Sequence, residues 1–407
     1  MKKEILNAAV IVAALGYFVD IYDLLLFGFV RVKSLTELGF SGQELTDKGL
    51  SLQNWQMFGM LLGGVLWGVL GDKKGRVKVL YFSIALYSAA NILNGFATGY
   101  ADYAFYRLLA GIGLAGELGA GITLVSEVLP KSRRGIGTML VASIGFTGAL
   151  LAWVIEHNFH WRTCYFIGGG LGVLLLIFRI SVAESGIFRQ AEANTTLSRG
   201  NFIALFTNRE RFFRFLRCIL IGTSTWFVIG VLIFFSPEFG KAKGLEGVLA
   251  SNAIAIAYSG LILGDLTSGL LSQWLRSRVK VMALFLILDV LAVAAYLTLP
   301  FANATQFYIS HFILGFSVGF WVIFVTIGAE QFGTNLRSTV ATTVPNFARG
   351  MQVPINEAFK YLKAPAVTGS VISAGYMVGA VCLIIPLIAL WGMKDTFDRD
   401  MDYVEDI

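Results

Sequence analysis

Apolar residues run along this chain in long blocks, interrupted at intervals by short clusters of charge, glycine and asparagine. About 20 consecutive apolar residues are needed for a helix to cross a bilayer. The pattern predicts twelve such segments, over 7–31, 51–71, 78–98, 101–128, 135–156, 162–183, 213–236, 248–274, 280–299, 305–331, 338–359 and 366–392. Segments six and seven are separated by a polar stretch from Glu184 to Arg211, which marks a boundary between halves. The expected organisation is a six-helix bundle over 1–183, a linker over 184–212, a second bundle over 213–392 and an acidic tail over 393–407. The tail is expected to be solvated and frayed.

The halves repeat one another at an offset near 204. Arg107-x3-Gly111 corresponds to His311-x3-Gly315, and Glu127-x6-Arg134 to Glu330-x6-Arg337. Gly75-Arg76-Val77-Lys78-Val79 answers Ser277-Arg278-Val279-Lys280-Val281. Parallel six-helix repeats place a substrate site near the midplane, at the interface between halves.

Composition agrees with a membrane protein: 56% of residues are hydrophobic and only 14% charged, against about 25% charged in soluble proteins. The net charge of +6 does not form one patch, which argues against a nucleic-acid partner. Its basic residues instead concentrate on the side carrying Lys73 to Lys78, and this bias places that hairpin and both termini in the cytoplasm. Met1-Lys2-Lys3-Glu4 leads into a retained first helix without a small-residue cleavage site. Cys164, Cys218 and Cys382 have neither disulfide nor zinc spacing and are read as packing residues. No Gly-x4-Gly-Lys-Ser/Thr loop supports ATP-driven transport, and no nucleophilic or metal-catalytic constellation is evident. The chain is therefore not expected to be an enzyme, nor to hold a cofactor or metal. His157 and His160, with Glu156 and Arg162, form an outer loop expected to be solvated.

Ionisable groups inside the membrane are the informative exceptions. Asp20, Asp23, Arg107, Glu117 and Arg349 would each cost about 2.5 to 3.5 kcal/mol at a helix centre, so each must find a partner or face water. Asp20 and Asp23 share one helical face with Gly16 and Phe27, and like charges so close resist simultaneous ionisation. Arg107 lies at the same depth as Asp23 and can meet it if segments one and four adjoin, the alternative being a static pair that only orders helices. Gly111, Ala115 and Gly119 give segment four a small-residue face for close contact. Glu117 is read as a second proton site or a substrate ligand, with a protonated packing residue as the alternative. Thr342, Asn346, Arg349 and Asn356 form a polar stripe on segment eleven, whose regularity Pro345, Gly350 and Pro354 interrupt. Arg107 and Arg349, from opposite halves, could clamp an anion through charge-assisted bonds; a structural salt bridge is the competing reading for Arg349. Asp265 and Asp289 have no partner assignable from sequence.

Several of these patterns resemble one family. Gly68-Val69-Leu70-Gly71-Asp72-Lys73-Lys74-Gly75-Arg76-Val77-Lys78 resembles the signature between the second and third helices of the major facilitator superfamily. Glu184-Ser185-Gly186-Ile187-Phe188 resembles the motif after the sixth helix in its sugar and metabolite porters, with the usual proline absent. Asp20-Ile21-Tyr22-Asp23 resembles the first-helix motif of aromatic-acid:proton symporters, with Ile21 in place of a glycine. Arg107-x3-Gly111-x-Gly113-x2-Gly116 resembles the fourth-helix motif of proton-coupled facilitators, and Arg349 resembles the segment-eleven arginine of organic-anion transporters.

The resemblance implies an all-α membrane protein of twelve transmembrane helices in two pseudo-symmetric six-helix bundles. It implies a monomer in the cell membrane that moves a small organic anion by proton symport, with the proton gradient as driving force. Proton coupling falls to Asp20, Asp23, Arg107 and Glu117, and substrate binding to Arg107, Arg349, Asn346, Thr342, Tyr22, Trp226 and His311. Gating falls to Gly68, Asp72, Gly75, Arg76, Glu127, Arg134, Glu330 and Arg337. A proton antiporter exporting a drug or metabolite, and a sensor that binds without translocating, are the alternatives.

Overall fold

A computed structural model of the protein describes residues 8–129, 131–179, 200–397 and 403–406, with side chains for these except 8, 9, 126, 127 and 131–136. The motif at Glu184 to Phe188 and most of the expected linker lie outside the described residues, as do the side chains of Glu127 and Arg134. Among the described residues the secondary structure is helical, and all twelve expected segments are present.

Ten are long and apolar enough to cross a membrane on length and composition alone. Segments two and eleven are not, because their polar residues face each other across the interface between halves rather than lipid. Several helices overrun their apolar windows: segment one spans Ala8–Glu37 and segment two Gly42–Lys74. At 1.5 Å per residue these are about 45 and 50 Å long, so their outer turns stand beyond the hydrocarbon. Segment seven likewise starts at Arg209, where the Asn208 side chain accepts from the Glu210 and Arg211 amides at 2.9 and 3.1 Å.

Five segments are interrupted along their length, segment five between Phe146 and Gly148. Segment four is interrupted between Leu114 and Glu117, segment ten between Ser317 and Trp321, and segment eleven at Met351. Segment seven passes through a π-helical stretch, Val228–Ile233. The last turn of the first half of segment ten is held by Asp289, which accepts from the Ser317 hydroxyl at 3.1 Å. Asp265 accepts from the Val322 amide at 3.2 Å and so caps the second half. These are the partners that the sequence did not assign.

The internal repeat is visible in packing. A Cβ on Gly111 would strike the Gln56 carbonyl, and one on Gly59 the Leu108 carbonyl, so segments two and four touch backbone to backbone. In the second half Gly315 is opposed by the Ala257 carbonyl and Gly260 by that of Phe312. Gly315 and Phe312 each stand 204 residues after their counterparts, and Ala257 and Gly260 each stand 201 after theirs. Only glycine permits this approach in either half.

Candidate functional site

Three layers of contact join the halves. On the face carrying the Gly68–Lys78 hairpin, Gly75 turns the chain at φ +104°, a region favourable only to glycine. Asp72, on the last turn of segment two before this glycine, reaches the other half. Its Oδ2 accepts from the Thr339 amide at 2.8 Å and the Thr339 hydroxyl at 2.6 Å, capping segment eleven in the manner of an N-cap side chain. Arg76 steadies the same carboxylate at 3.5 Å. A Cβ on Gly68 would press on the Thr339 backbone. Glu330 reaches Arg278 of the second hairpin at 3.4 Å and the Thr396 hydroxyl at 2.6 Å, while Arg337 is buried.

The C-terminal segment is docked on this face, contrary to the expectation of a solvated tail. Asp395 accepts from Ser277 and from the Arg278 amide, Glu405 pairs with Arg214 at 2.8 Å, and the Thr334 amide donates to the Tyr403 carbonyl at 2.8 Å. Glu405 meets basic side chains, and Asp395 a hydroxyl and backbone amides, that converge only in the fold.

The opposite face is closed by pairs that sequence reasoning did not select. Arg31 meets Glu238 at 3.0 Å, Asp47 meets Lys363 at 3.1 Å, and Asn54 donates to Glu357 at 2.7 Å. His157 and His160 are exposed here, and His160 lies 2.7 Å from Glu37.

At mid-depth, Asn346 donates to the Ala115 carbonyl at 2.8 Å, satisfying a group freed by the break in segment four. Gly64 and Gly119 leave room for Asn346 and Thr342. Both residues therefore pack the interface rather than line open space. Beside them lies a cavity of about 10 Å³ lined by Tyr17, Phe146, Trp226, Tyr258, Trp321 and Arg349, the space of one water molecule. Among the described residues, bonded contacts between the halves lie on both sides of this cavity.

Arg349 is the cavity's only cation among the described residues. Its guanidinium stands 5.7 and 5.6 Å from the Trp226 and Trp321 rings, 3.4 Å from the Asn346 carbonyl oxygen and 3.9 Å from Asp20 Oδ2. Asp20 belongs to the other half, so the pair spans the interface. Neither Asp20 oxygen accepts a hydrogen bond, and both indole N–H groups and the Tyr17 hydroxyl are buried without partners. Unsatisfied donors around one cation, in an aromatic wall, suit an anionic ligand.

The remaining predicted residues fall elsewhere. Arg107 donates to the Gln56 carboxamide and sits 4.9 Å from the Phe27 ring. Asp23 is buried in the same bundle with neither oxygen bonded, in room left by Gly168. The expected Asp23–Arg107 contact is not made at ion-pair distance. Glu117 instead forms a two-pronged pair with Arg179 of segment six, at 2.7 and 3.1 Å, and accepts from Ser83 at 2.9 Å. A Cβ on Gly16 would strike this pair, which explains why a glycine continues the aspartate face. Tyr22 donates to the Cys164 carbonyl at 2.8 Å inside the first bundle. His311 is bonded to the Phe307 carbonyl at 2.7 Å and enclosed by Tyr296 and Phe307, away from the cavity. Of the substrate set, the structure brings Arg349 and Trp226 to the cavity wall and adds Tyr17, Phe146, Tyr258 and Trp321.

Two six-helix halves around a midplane cavity define a secondary transporter. The Major Facilitator Superfamily model matches residues 13–351, and the chain belongs to that family. It is 28% identical to a Haemophilus influenzae protein named for metabolite transport without a stated substrate, with 92% of this chain and 91% of that one covered. It is also 28% identical to the 3-(3-hydroxy-phenyl)propionate transporter of Escherichia coli, over 54% of each chain. A solved proton:xylose symporter, XylE, superposes with a TM-score of 0.74 at 14% identity, over 98% of each chain, a likeness of fold. The protein is thus a multi-pass membrane transporter and not an enzyme.

Proposed function

We propose that the protein is a proton symporter of a small aromatic monocarboxylate, working in the plasma membrane with both termini in the cytoplasm. The observation that carries this reading is the Asp20–Arg349 pair, set 3.9 Å apart across the two halves beside aromatic walls. In the empty carrier Asp20 is the anion that Arg349 requires in a low-dielectric interior. Protonation of Asp20 releases the guanidinium, and a substrate carboxylate takes the vacated place through two parallel hydrogen bonds. The indole N–H groups of Trp226 and Trp321 and the Tyr17 hydroxyl supply further donors, and the rings offer stacking surfaces to an aromatic solute. The phenylpropionate transporter among the relatives is named for a solute of this kind.

Asp72 closes the hairpin face and Arg31–Glu238 the opposite face, so alternation breaks one set while keeping the other. Arg107 and Asp23 remain in the first bundle as a second acid–cation neighbourhood. No cofactor beyond the proton gradient takes part.

The test is a thermal-shift screen of the purified protein against aromatic acids, sugars, amino acids and nucleosides, followed by uptake into proteoliposomes. A ligand at about 100 times its Kd adds about 2.7 kcal/mol of stability. Stabilisation by aromatic monocarboxylates, with uptake driven by an inward proton gradient, is expected. A neutral sugar or a cation as preferred ligand overturns the reading, substrate-driven proton export marks an antiporter, and binding without uptake marks a sensor.

A further inference from the structure

A larger cavity, of about 240 Å³, lies outside the transport pathway on the hairpin face, between the start of segment seven and the end of segment twelve. We propose that it holds the phosphate of an anionic glycerophospholipid headgroup.

The cavity presents Arg214, Arg217 and Lys394, with Glu210 the one acid lining it and Phe213 and Met393 its apolar walls. Arg214 is already committed, to Glu405 at 2.8 and 3.0 Å and to the Gln331 carbonyl at 3.1 Å. Arg217 and Lys394 are not. Arg217 spends one nitrogen on the Gly392 carbonyl at 2.7 Å, leaving its other donors open, and the Lys394 ammonium meets no partner among the described residues. Arg209 adds a further cation at the rim, 5.8 Å from the Phe213 ring. Cations therefore outnumber Glu210, and their open donors face a space large enough for a phosphodiester.

Depth identifies the source of that phosphate. Segment twelve ends at Trp391, 92% exposed and immediately before Gly392 of the cavity wall. An exposed tryptophan at a helix end marks the headgroup layer. Ile384, Ile388 and Trp391 are exposed one turn apart, and Phe213 is exposed beside them. An acyl chain can follow this apolar track while its headgroup enters the basic pocket. Basic pockets between helix ends at this depth suit anionic headgroups.

The test uses full-length protein delipidated in neutral detergent and offered phosphatidylglycerol, phosphatidylcholine, inorganic phosphate or glycerol 3-phosphate, with retention read by native mass spectrometry. Phosphatidylglycerol is expected to stay bound at least tenfold better than phosphatidylcholine. The Arg217→Gln/Lys394→Gln variant is expected to lose that preference while retaining phosphatidylcholine as the parent does. Lys394→Gln alone, which removes no contact within the protein, should lose part of it and guards against a folding defect in the double variant. Equal retention of the two lipids, or an unchanged preference in both variants, overturns the proposal. Retention of inorganic phosphate or glycerol 3-phosphate as strong as that of phosphatidylglycerol also overturns it, assigning the pocket to soluble phosphates.

Discussion

Replacing Asp20 with asparagine keeps the side chain's shape and removes the anion facing Arg349. At 3.9 Å and an effective dielectric of about 20, the lost attraction is about 4 kcal/mol as a ceiling. The substrate carboxylate competes with Asp20 for that guanidinium, so the variant should bind the anion about ten- to a thousandfold more tightly than the parent when Asp20 of the parent is ionised. Coupling adds a second signature. Binding that takes up one proton weakens tenfold per pH unit, about 1.4 kcal/mol, as pH rises through the range where Asp20 is ionised. Asp20→Asn should abolish that slope. Because Trp226 and Trp321 line the cavity, quenching of intrinsic fluorescence measures affinity directly at each pH. Uptake driven by a pH gradient should be lost while counterflow exchange survives. A variant that keeps the parent's pH slope, or that binds the anion more weakly than the parent, refutes the exchange of Asp20 for substrate.

Arg349→Lys should weaken anion binding by about 1.5 to 3 kcal/mol by losing two-pronged geometry, and Arg349→Ala should nearly abolish it; normal binding by the alanine variant in calorimetry contradicts the anchor role. Asp72→Ala forfeits two hydrogen bonds to a charged group, each worth about 1.5 to 3 kcal/mol, and should widen spin-label distances across the hairpin face, whereas unchanged distances exclude the latch. Glu117→Gln breaks a buried ion pair, so stability in denaturant should fall by about 3 to 5 kcal/mol with the pH slope of uptake intact; the reverse outcome would make Glu117 a proton carrier. For Asp395, partial burial opposes ionisation, but donors from Ser277 and the Arg278, Phe397 and Val279 amides outweigh it and hold the carboxyl below its usual range. A depressed value stabilises docking at ordinary pH and is lost as pH falls through it, so hydrogen exchange at 395–397 should rise only under acid conditions, and a rise near neutrality counts against this cap.

Segment number and the basic hairpins were legible because hydropathy and charge act locally along the chain. The break in segment eleven was legible too, from Pro345, Gly350 and Pro354. Breaks in segments four and ten carry no proline and depend on tertiary partners: Asn346 for the first, Asp265 and Asp289 for the second. Arg349 was selected from sequence as an intramembrane cation, but its partner Asp20 lies in the other half, and no spacing rule relates them. Arg179 was missed because a cation at a helix end looks like a topology signal, although here it turns inward to Glu117. Tyr17, Tyr258 and Trp321 gave no signal in a chain already 14% aromatic. The tail was misread for a similar reason, since an acidic sequence looks solvated until Arg214 and Ser277 are known to lie beside it.

That Arg349 meets one carboxylate and not two has an electrical consequence. In the proposed symport cycle the empty carrier returns with Asp20 ionised against Arg349, a net charge of zero in the cavity. The loaded carrier of that cycle holds a protonated Asp20, the same guanidinium and a monovalent anion, again zero. Membrane potential contributes about 2.3 kcal/mol per 100 mV for each charge moved, and neither leg of such a cycle moves one. Accumulation would then follow the pH difference alone, about tenfold per unit, and a cell that collapsed its voltage while keeping its proton concentration gradient would go on importing.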